Sequence, residues 1–375
     1  ERGIAVIEDG RVVTIAGPEE PIPAGAAVRE VACLVPGLIN AHVHLEVRGE
    51  PDLMRVFIET TPTQRALVAS ENARRTLLSG VTTVRDLGGS ERIALEVRDA
   101  VAAGTLAGPT ILAAARPICM TGGHGWFVGR EADGPWDVRK AVREQLRAGA
   151  DCIKFIATGG VLTKGAVPGI DQLGEDELAA GIAEAHTHGL RCAAHAIGTS
   201  GIRNALRAGI DSIEHGHLVD DEGIALFLER GAFLVPTLAA IEGIVANGSE
   251  AGIPEFAVRK ARELGERAHA NLRQALAAGV RFAGGSDAGT PFNRHDDYAR
   301  ELELMEEKLG LPRERVLVAA TGTAGELLGT ERGRIASGAP ADLLGLRSGL
   351  ASDARPFREP ALVVKDGRIV HERAA

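Results

Sequence analysis

The sequence predicts an α/β protein: a closed (β/α)8 barrel of eight parallel strands, with a small β-sandwich built from its two ends. Three observations point there. Between residues 36 and 328, short apolar runs alternate with longer amphipathic stretches, the pattern of repeated βα units. Helical stretches stop at a glycine that opens the next run, at Gly80, Gly189, Gly209, Gly231 and Gly279, where a left-handed helix cap belongs. The end segments, IAVIEDGRVVTIAG and ALVVKDGRIVHERA, both read as strand, Asp-Gly turn, strand.

In chain order, strand cores are expected at 38–44, 81–86, 110–114, 151–156, 191–195, 212–215, 233–236 and 280–287. Amphipathic helices fill the gaps, as at 175–188, 220–230 and 254–278. Eight strands with crossovers favour a closed barrel over an open doubly wound sheet, and no GxGxxG follows the first strand. The barrel is assigned to residues 36–329 and the small β-domain to 1–35 and 330–375.

Composition narrows the function. With 45% apolar and 25% charged residues the chain has an ordinary globular balance, and no run approaches the length of a membrane span. Its first residues alternate and carry charge, unlike a signal peptide, so a cytoplasmic location is expected. The formal charge of -9 is spread along the chain, which argues against nucleic acid as a partner. A small-molecule substrate and a homo-oligomer are expected instead. Cys33, Cys119, Cys152 and Cys192 lie far apart without a CxxC pair, which indicates buried free thiols rather than a thiolate zinc site or disulfides.

In such a barrel the reactive groups sit at the C-terminal ends of the strands. The ends of the predicted strands carry His42 and His44, Lys154, His195, His215 and Asp287. His42 and His44 are two apart, so they point to the same side of a strand and can bind one cation together. One such histidine alone is more often structural than a ligand. Four with an aspartate and a lysine, spread over five strand ends, build one convergent site for zinc, manganese or a related ion.

The run VPGLINAHVHL resembles the first-strand motif of the amidohydrolase superfamily. The likeness continues through GVTTVRDLGG, IKFIATGGV, AAHAIG, SIEHG, GGSDAG and ASGAPADLLGL, nearly the whole chain. It is similar to the branch of imidazolonepropionase-like proteins and prolidase-like or Xaa-Arg/Lys dipeptidases. The resemblance implies two divalent cations, zinc first among the candidates. His42 and His44 would hold the more buried ion, His195 and His215 the more exposed one, and Asp287 would touch the first ion and the attacking water. Lys154 would carry a CO2-derived carbamate that bridges both. Two ions roughly 3.5–4 Å apart would share a hydroxide, the nucleophile near neutral pH, with Asp287 shuttling the proton to the leaving nitrogen. His124, in the family-like loop TGGHG, is the candidate donor to the tetrahedral intermediate.

The remaining candidates are loop residues. Arg48, Arg130, Lys164 and Arg294 are the cations placed to meet a substrate carboxylate, and His295 is expected to border the pocket. Asp86 has a structural reading at least as strong as a catalytic one. His186, His188 and His269 fall in helical patterns, and His217 suits a supporting role beside His215. The leading expectation is hydrolysis of a dipeptide or N-acyl amino acid. A mononuclear deaminase or cyclic-amide hydrolase, and hydrolysis of a carbamate, urea, lactone or organophosphate, stay open; Lys154 discriminates the first of these, because one metal needs no bridge. A non-catalytic barrel is disfavoured by the full ligand set.

Overall fold

Each predicted strand core holds a strand: β1 (Leu38–Val43), β2 (Val81–Asp86), β3 (Thr110–Ala113), β4 (Cys152–Ile156), β5 (Arg191–Ala196), β6 (Ser212–His215), β7 (Phe233–Val235) and β8 (Arg281–Phe282). The structure, a computed structural model, describes residues 3–351 and 355–373, with all their side chains except that of Glu266. Residues 1, 2, 352–354, 374 and 375 of the expected small domain lie outside the described residues. Strands β1, β2, β4, β6 and β7 are buried along their whole length, as parallel strands covered by helices on one side and packed core on the other must be.

The strands do not run in one closed ladder, which corrects the expectation. β1, β2 and β3 form a parallel three-stranded sheet, while β8-β7-β6-β5-β4, in that order, form a parallel run extended by the short pairs Ile118–Cys119 and Arg130–Glu131. Single backbone hydrogen bonds join the two sheets. Asp151 N donates to Ala113 O at one seam; at the other, Ala41 N donates to Gly284 O, Asp287 N to His42 O and His44 N to Ala288 O, all at 2.8–2.9 Å. β8 is shorter than expected for a steric reason. A Cβ on Gly284 would stand 2.2 Å from Tyr298 Oη and one on Gly285 2.4 Å from Val235 Cγ1, so the chain passes too close to its neighbours for a regular pleat. It then turns left-handed at Asp287, φ +58°.

The five glycines expected to cap helices take φ values of +66° to +97°. Helices Glu175–Thr187, Asp221–Arg230 and Glu255–Ala277 fall within a residue of their expected ends. At the termini, hairpins turn at Asp9-Gly10 (φ +48° and +80°) and Asp366-Gly367 (φ +47° and +75°), the conformation for which an Asp-Gly pair is suited. The hairpins lie in separate sheets, so their echo reflects turn chemistry rather than a shared ladder. Ile4–Glu8 and Arg11–Ala16 form a two-stranded sheet that Arg11 bridges to Pro340; Leu362–Lys365 and Arg368–Glu372 join Cys33–Pro36 and Leu343–Leu346 in an antiparallel sheet of four. That sheet alternates faces: Leu344, Leu346 and Val363 enter the main core, while Leu343, Leu362 and Val364 pack with Ile7, Val31 and Leu34.

Among the described residues no helix is long and apolar enough to cross a membrane. The four cysteines are free, three of them buried, and burial pushes the Cys119 and Cys152 thiols up to about 12, which keeps them unreactive.

Candidate metal centre

Strand ends bring the predicted residues together. From β1, His42 Nε2 and His44 Nε2 both approach Asp287 Oδ1, at 3.3 and 3.2 Å, and the three ligand atoms are clustered closely enough to hold a metal ion. The rings continue across the barrel: centroids are 5.3 Å apart for His42 and His44, 5.5 Å for His42 and His215, 4.5 Å for His215 and His195, and 4.5 Å for His195 and His124. His215, Thr237 and Asp287 are all left-handed, with φ of +72°, +50° and +58°. Such non-glycine backbone costs on the order of 1–3 kcal/mol each, and here it turns three strand ends toward one point.

Lys154 Nζ and Asp287 Oδ1 are buried without a hydrogen-bond partner among the described residues. A buried polar atom left so is expensive; a cation would satisfy the carboxylate oxygen facing two imidazoles, and the amine could join such a site only uncharged or converted to an anion. Burial, opposed by Glu214 and Asp287, lowers Lys154 to about 8. The donor set therefore fits divalent metal.

Hydrogen bonds fix which ring nitrogen faces the centre. His42 Nδ1 donates to Glu214 Oε2 (2.8 Å), and His44 Nδ1 to Gly88 O (2.6 Å). His215 Nδ1 donates to Thr237 Oγ1 (2.6 Å), because that hydroxyl gives its own hydrogen to Pro236 O (2.8 Å). All three keep an Nε2 lone pair for a metal. His124 is the reverse. Its Nδ1 meets Thr163 Oγ1 at 2.8 Å, and that hydroxyl already accepts from Gly125 N and has no other acceptor among the described residues. The hydroxyl therefore donates to Nδ1 and the ring hydrogen sits on Nε2. Burial lowers His124 to about 4, which favours the neutral ring at pH 7.

Beneath the histidines lies a charged layer. Arg85 NH2 bonds Glu214 Oε1 (2.8 Å), Ser212 Oγ bonds the same oxygen (2.6 Å), and Arg85 Nε bonds Ala41 O. Burial alone would raise Glu214; Arg85 and His42 outweigh it and hold the carboxyl at about 2. Removing one partner of a buried pair strands the other charge, so Arg85→Met is expected to destabilise the protein by roughly 3–5 kcal/mol in denaturant unfolding. A loss under about 1 kcal/mol would show that Glu214 does not depend on Arg85.

His42, His44, Lys154, His195, His215 and Asp287 line a cavity of about 140 Å³. Its walls are apolar, with Leu53, Phe57, Phe127, Val128, Leu162 and Ile241 among them. Among the described residues lining it there is no arginine, and Lys154 is the one lysine. The expected carboxylate-binding cations lie elsewhere. Arg130 pairs with Asp137 and Glu144, Arg294 pairs with Asp296, and Arg48 and Lys164 are exposed. Each has a nearer carboxylate or open water, and none lines the cavity. His295 is buried behind the wall with Nε2 on Val47 O at 2.8 Å, outside the lining.

The model of the Amidohydrolase family matches residues 33–370. The chain belongs to that family. Ochratoxinase from Aspergillus niger is 29% identical over 96% of this chain and 81% of its own length. Imidazolonepropionase from Anaeromyxobacter dehalogenans is 27% identical over 99% of this chain and 91% of its own. A solved Xaa-Pro dipeptidase with methionine bound in its active site superposes with a TM-score of 0.90 at 33% identity, covering 98% of this chain and 94% of that one. The protein is thus a metal-dependent hydrolase acting on amide carbon–nitrogen bonds, in the prolidase-like and imidazolonepropionase-like branch.

In this amidohydrolase the structural reading of Asp86 fits its hydrogen bonds, while other supporting residues escape a sequence reading. Asp86 is structural: its carboxylate accepts from Leu45 N and Gly88 N and so presents Gly88 O to His44. Glu214 and Arg85 had a legible signal, since a charge inside an apolar strand needs a buried partner. Thr163, Thr237 and Glu301 had none. Thr237 precedes helix Leu238–Asn247, but its hydroxyl is committed to His215. The helix is capped instead by Glu301, which accepts from Leu238 N (3.0 Å) and Ala239 N (2.7 Å). Burial raises Glu301 to about 8 despite these bonds.

Proposed function

We propose that the protein hydrolyses the amide bond of a dipeptide or N-acyl amino acid whose acyl group or side chain is apolar. One observation carries this reading: the convergence of His42, His44, Lys154, His195, His215 and Asp287 in the lining of an apolar cavity, with the Lys154 amine buried and unpartnered among the described residues. The similarity to an Xaa-Pro dipeptidase with methionine in its active site supports an amide between an acyl group and an amino acid.

His42, His44 and Asp287 would hold one divalent cation, zinc first among the candidates, and His195 and His215 a second. Lys154, whose amine burial makes easier to deprotonate, would add CO2 at Nζ, forming an N–C bond and releasing a proton, to give the anionic carbamate that holds both. When bound, the cations supply Lewis acidity, which polarises a carbonyl and brings the pKa of water to near neutral. Asp287 accepts the proton of the attacking water on a carboxylate oxygen and returns it to the leaving nitrogen. His124 donates its Nε2 hydrogen to the carbonyl oxygen as that oxygen gains charge. The walls exclude water and select apolar groups.

His124→Ala is expected to lower kcat by about 10²–10³-fold with metal content unchanged, the usual cost of one oxyanion donor; parallel kinetics and elemental analysis would show it. The substrate test is a panel of N-acetyl and N-benzoyl derivatives and dipeptides of Leu, Met, Phe, Pro, Asp and Lys. Apolar members should be preferred, and a preference for charged ones would overturn the assignment. That no arginine among the described residues lines the cavity also favours a second reading, an uncharged cyclic amide, and ring-opening of hydantoins or imidazolones with no turnover of the panel would establish that instead.

A further inference from the structure

We propose that Lys260 is a positioning residue for His124, acting through the loop that follows β4. Lys260 lies on helix Glu255–Ala277, and its Nζ enters a ring of main-chain oxygens from that loop: Thr163 O at 2.9 Å, Ala166 O at 2.5 Å, Gly160 O at 3.4 Å and Val161 O at 3.5 Å. The side chain lies against the Phe256 ring, 5.1 Å from its centroid. An ammonium has three hydrogens, so the two short contacts are its firm bonds and the two longer ones share the third hydrogen.

Besides Lys260, the tip is held by the bond from Gly125 N to Thr163 Oγ1 and by Val161 and Leu162, which pack with Ile197 and Ile241. The loop's two arms meet at the bridges Thr158 with Asp171 and Gly159 with Pro168, and at the bonds from Gly159 N to Ile170 O and from Gln172 N to Ala157 O, all at the base of the loop. Beyond them Lys164 and Gly165 are exposed. This tip is nevertheless what the site depends on. Val161 and Leu162 line the cavity, and the Thr163 hydroxyl sets the His124 ring with its hydrogen on Nε2. The loop backbone also lies flush against the imidazole: a Cβ on Gly160 would stand 2.4 Å from His124 Nε2. Lys260 thus bonds the main chain of the residue whose side chain orients the donor. The chain of contact runs from the Lys260 ammonium to Thr163 O, from Thr163 Oγ1 to His124 Nδ1, and leaves Nε2 for the substrate. The proposal rests on His124 serving as the oxyanion donor.

The test is a double-mutant cycle with N-benzoyl-L-phenylalanine, together with limited trypsin digestion of the metal-loaded enzyme. Lys260→Met is expected to lower kcat about tenfold, the scale of losing an orienting partner, and to change it less than about twofold when His124 is already alanine. Thr163→Val should behave likewise. Cleavage after Lys164 should be several-fold faster in Lys260→Met, with other tryptic sites unchanged. If the Lys260→Met loss multiplies that of His124→Ala, or cleavage after Lys164 is unaltered, Lys260 is only a packing residue and the proposal is overturned. A silent His124→Ala removes the donor role itself and this proposal with it, an outcome separable from failure of Lys260 alone.

Discussion

Lys154→Ala is expected to reduce bound metal from about two ions per chain to one or none, and to slow hydrolysis by on the order of 10³-fold or more. The size follows from what is lost. The proposed carbamate would be the anion shared by the two cations, and an alanine would leave them close together without it. Two cations there would repel, and one held by His195 and His215 alone, through two neutral imidazoles, would be lost first. The substitution removes no fold-stabilising hydrogen bond, because Lys154 Nζ makes none among the described residues, so the melting temperature of the metal-free protein should hardly fall. Added formate or acetate, which restores a bridging carboxylate, should recover part of the activity. A pH signature accompanies this. Carbamate formation needs the neutral amine, and burial lowers Lys154 to about 8, so activation of metal-free protein by zinc and bicarbonate should accelerate as pH rises through that value. Elemental analysis and activation kinetics read both effects; one metal in the wild type, undisturbed by the substitution, would point to a mononuclear enzyme.

Asp287→Asn should lower kcat by about 10²–10⁴-fold while the protein stays folded. Asparagine is the fitting replacement because Asp287 sits at φ +58°, a conformation that asparagine tolerates and alanine resists. The amide keeps the shape but cannot take up a proton. His42, His44 and Lys154 hold Asp287 below the usual carboxylate range against the opposing effect of burial, so the wild-type side chain is ionised and ready to accept one. Rate should be compared at equal metal occupancy. A variant within about tenfold of wild type would place the proton transfer on another group.

Much of this protein is legible in one sequence. Strand positions come from apolar runs, helix ends from Gly80, Gly189, Gly209, Gly231 and Gly279, and the terminal hairpins from their Asp-Gly turns, because these depend on the conformational limits of neighbouring residues. The family follows from motifs, and the histidines, lysine and aspartate follow from the rule that barrels gather chemistry at strand ends. Distance along the chain decides little of the rest. Loop arginines looked suited to a carboxylate, yet Arg130 and Arg294 found acidic neighbours first, and which carboxylate lies nearest is settled only by packing. The same holds for the seam at Gly284 and Gly285, where crowding by Tyr298 and Val235 breaks the ladder. It holds too for ring orientation: whether a histidine offers a lone pair or a hydrogen is set by Glu214, Gly88, Thr237 and Thr163, each brought from a different part of the chain. Sequence determined the elements and the kinds of donor; tertiary structure decided which atom of each donor faces the centre, because hydrogen bonding between distant residues is a property of the folded arrangement alone.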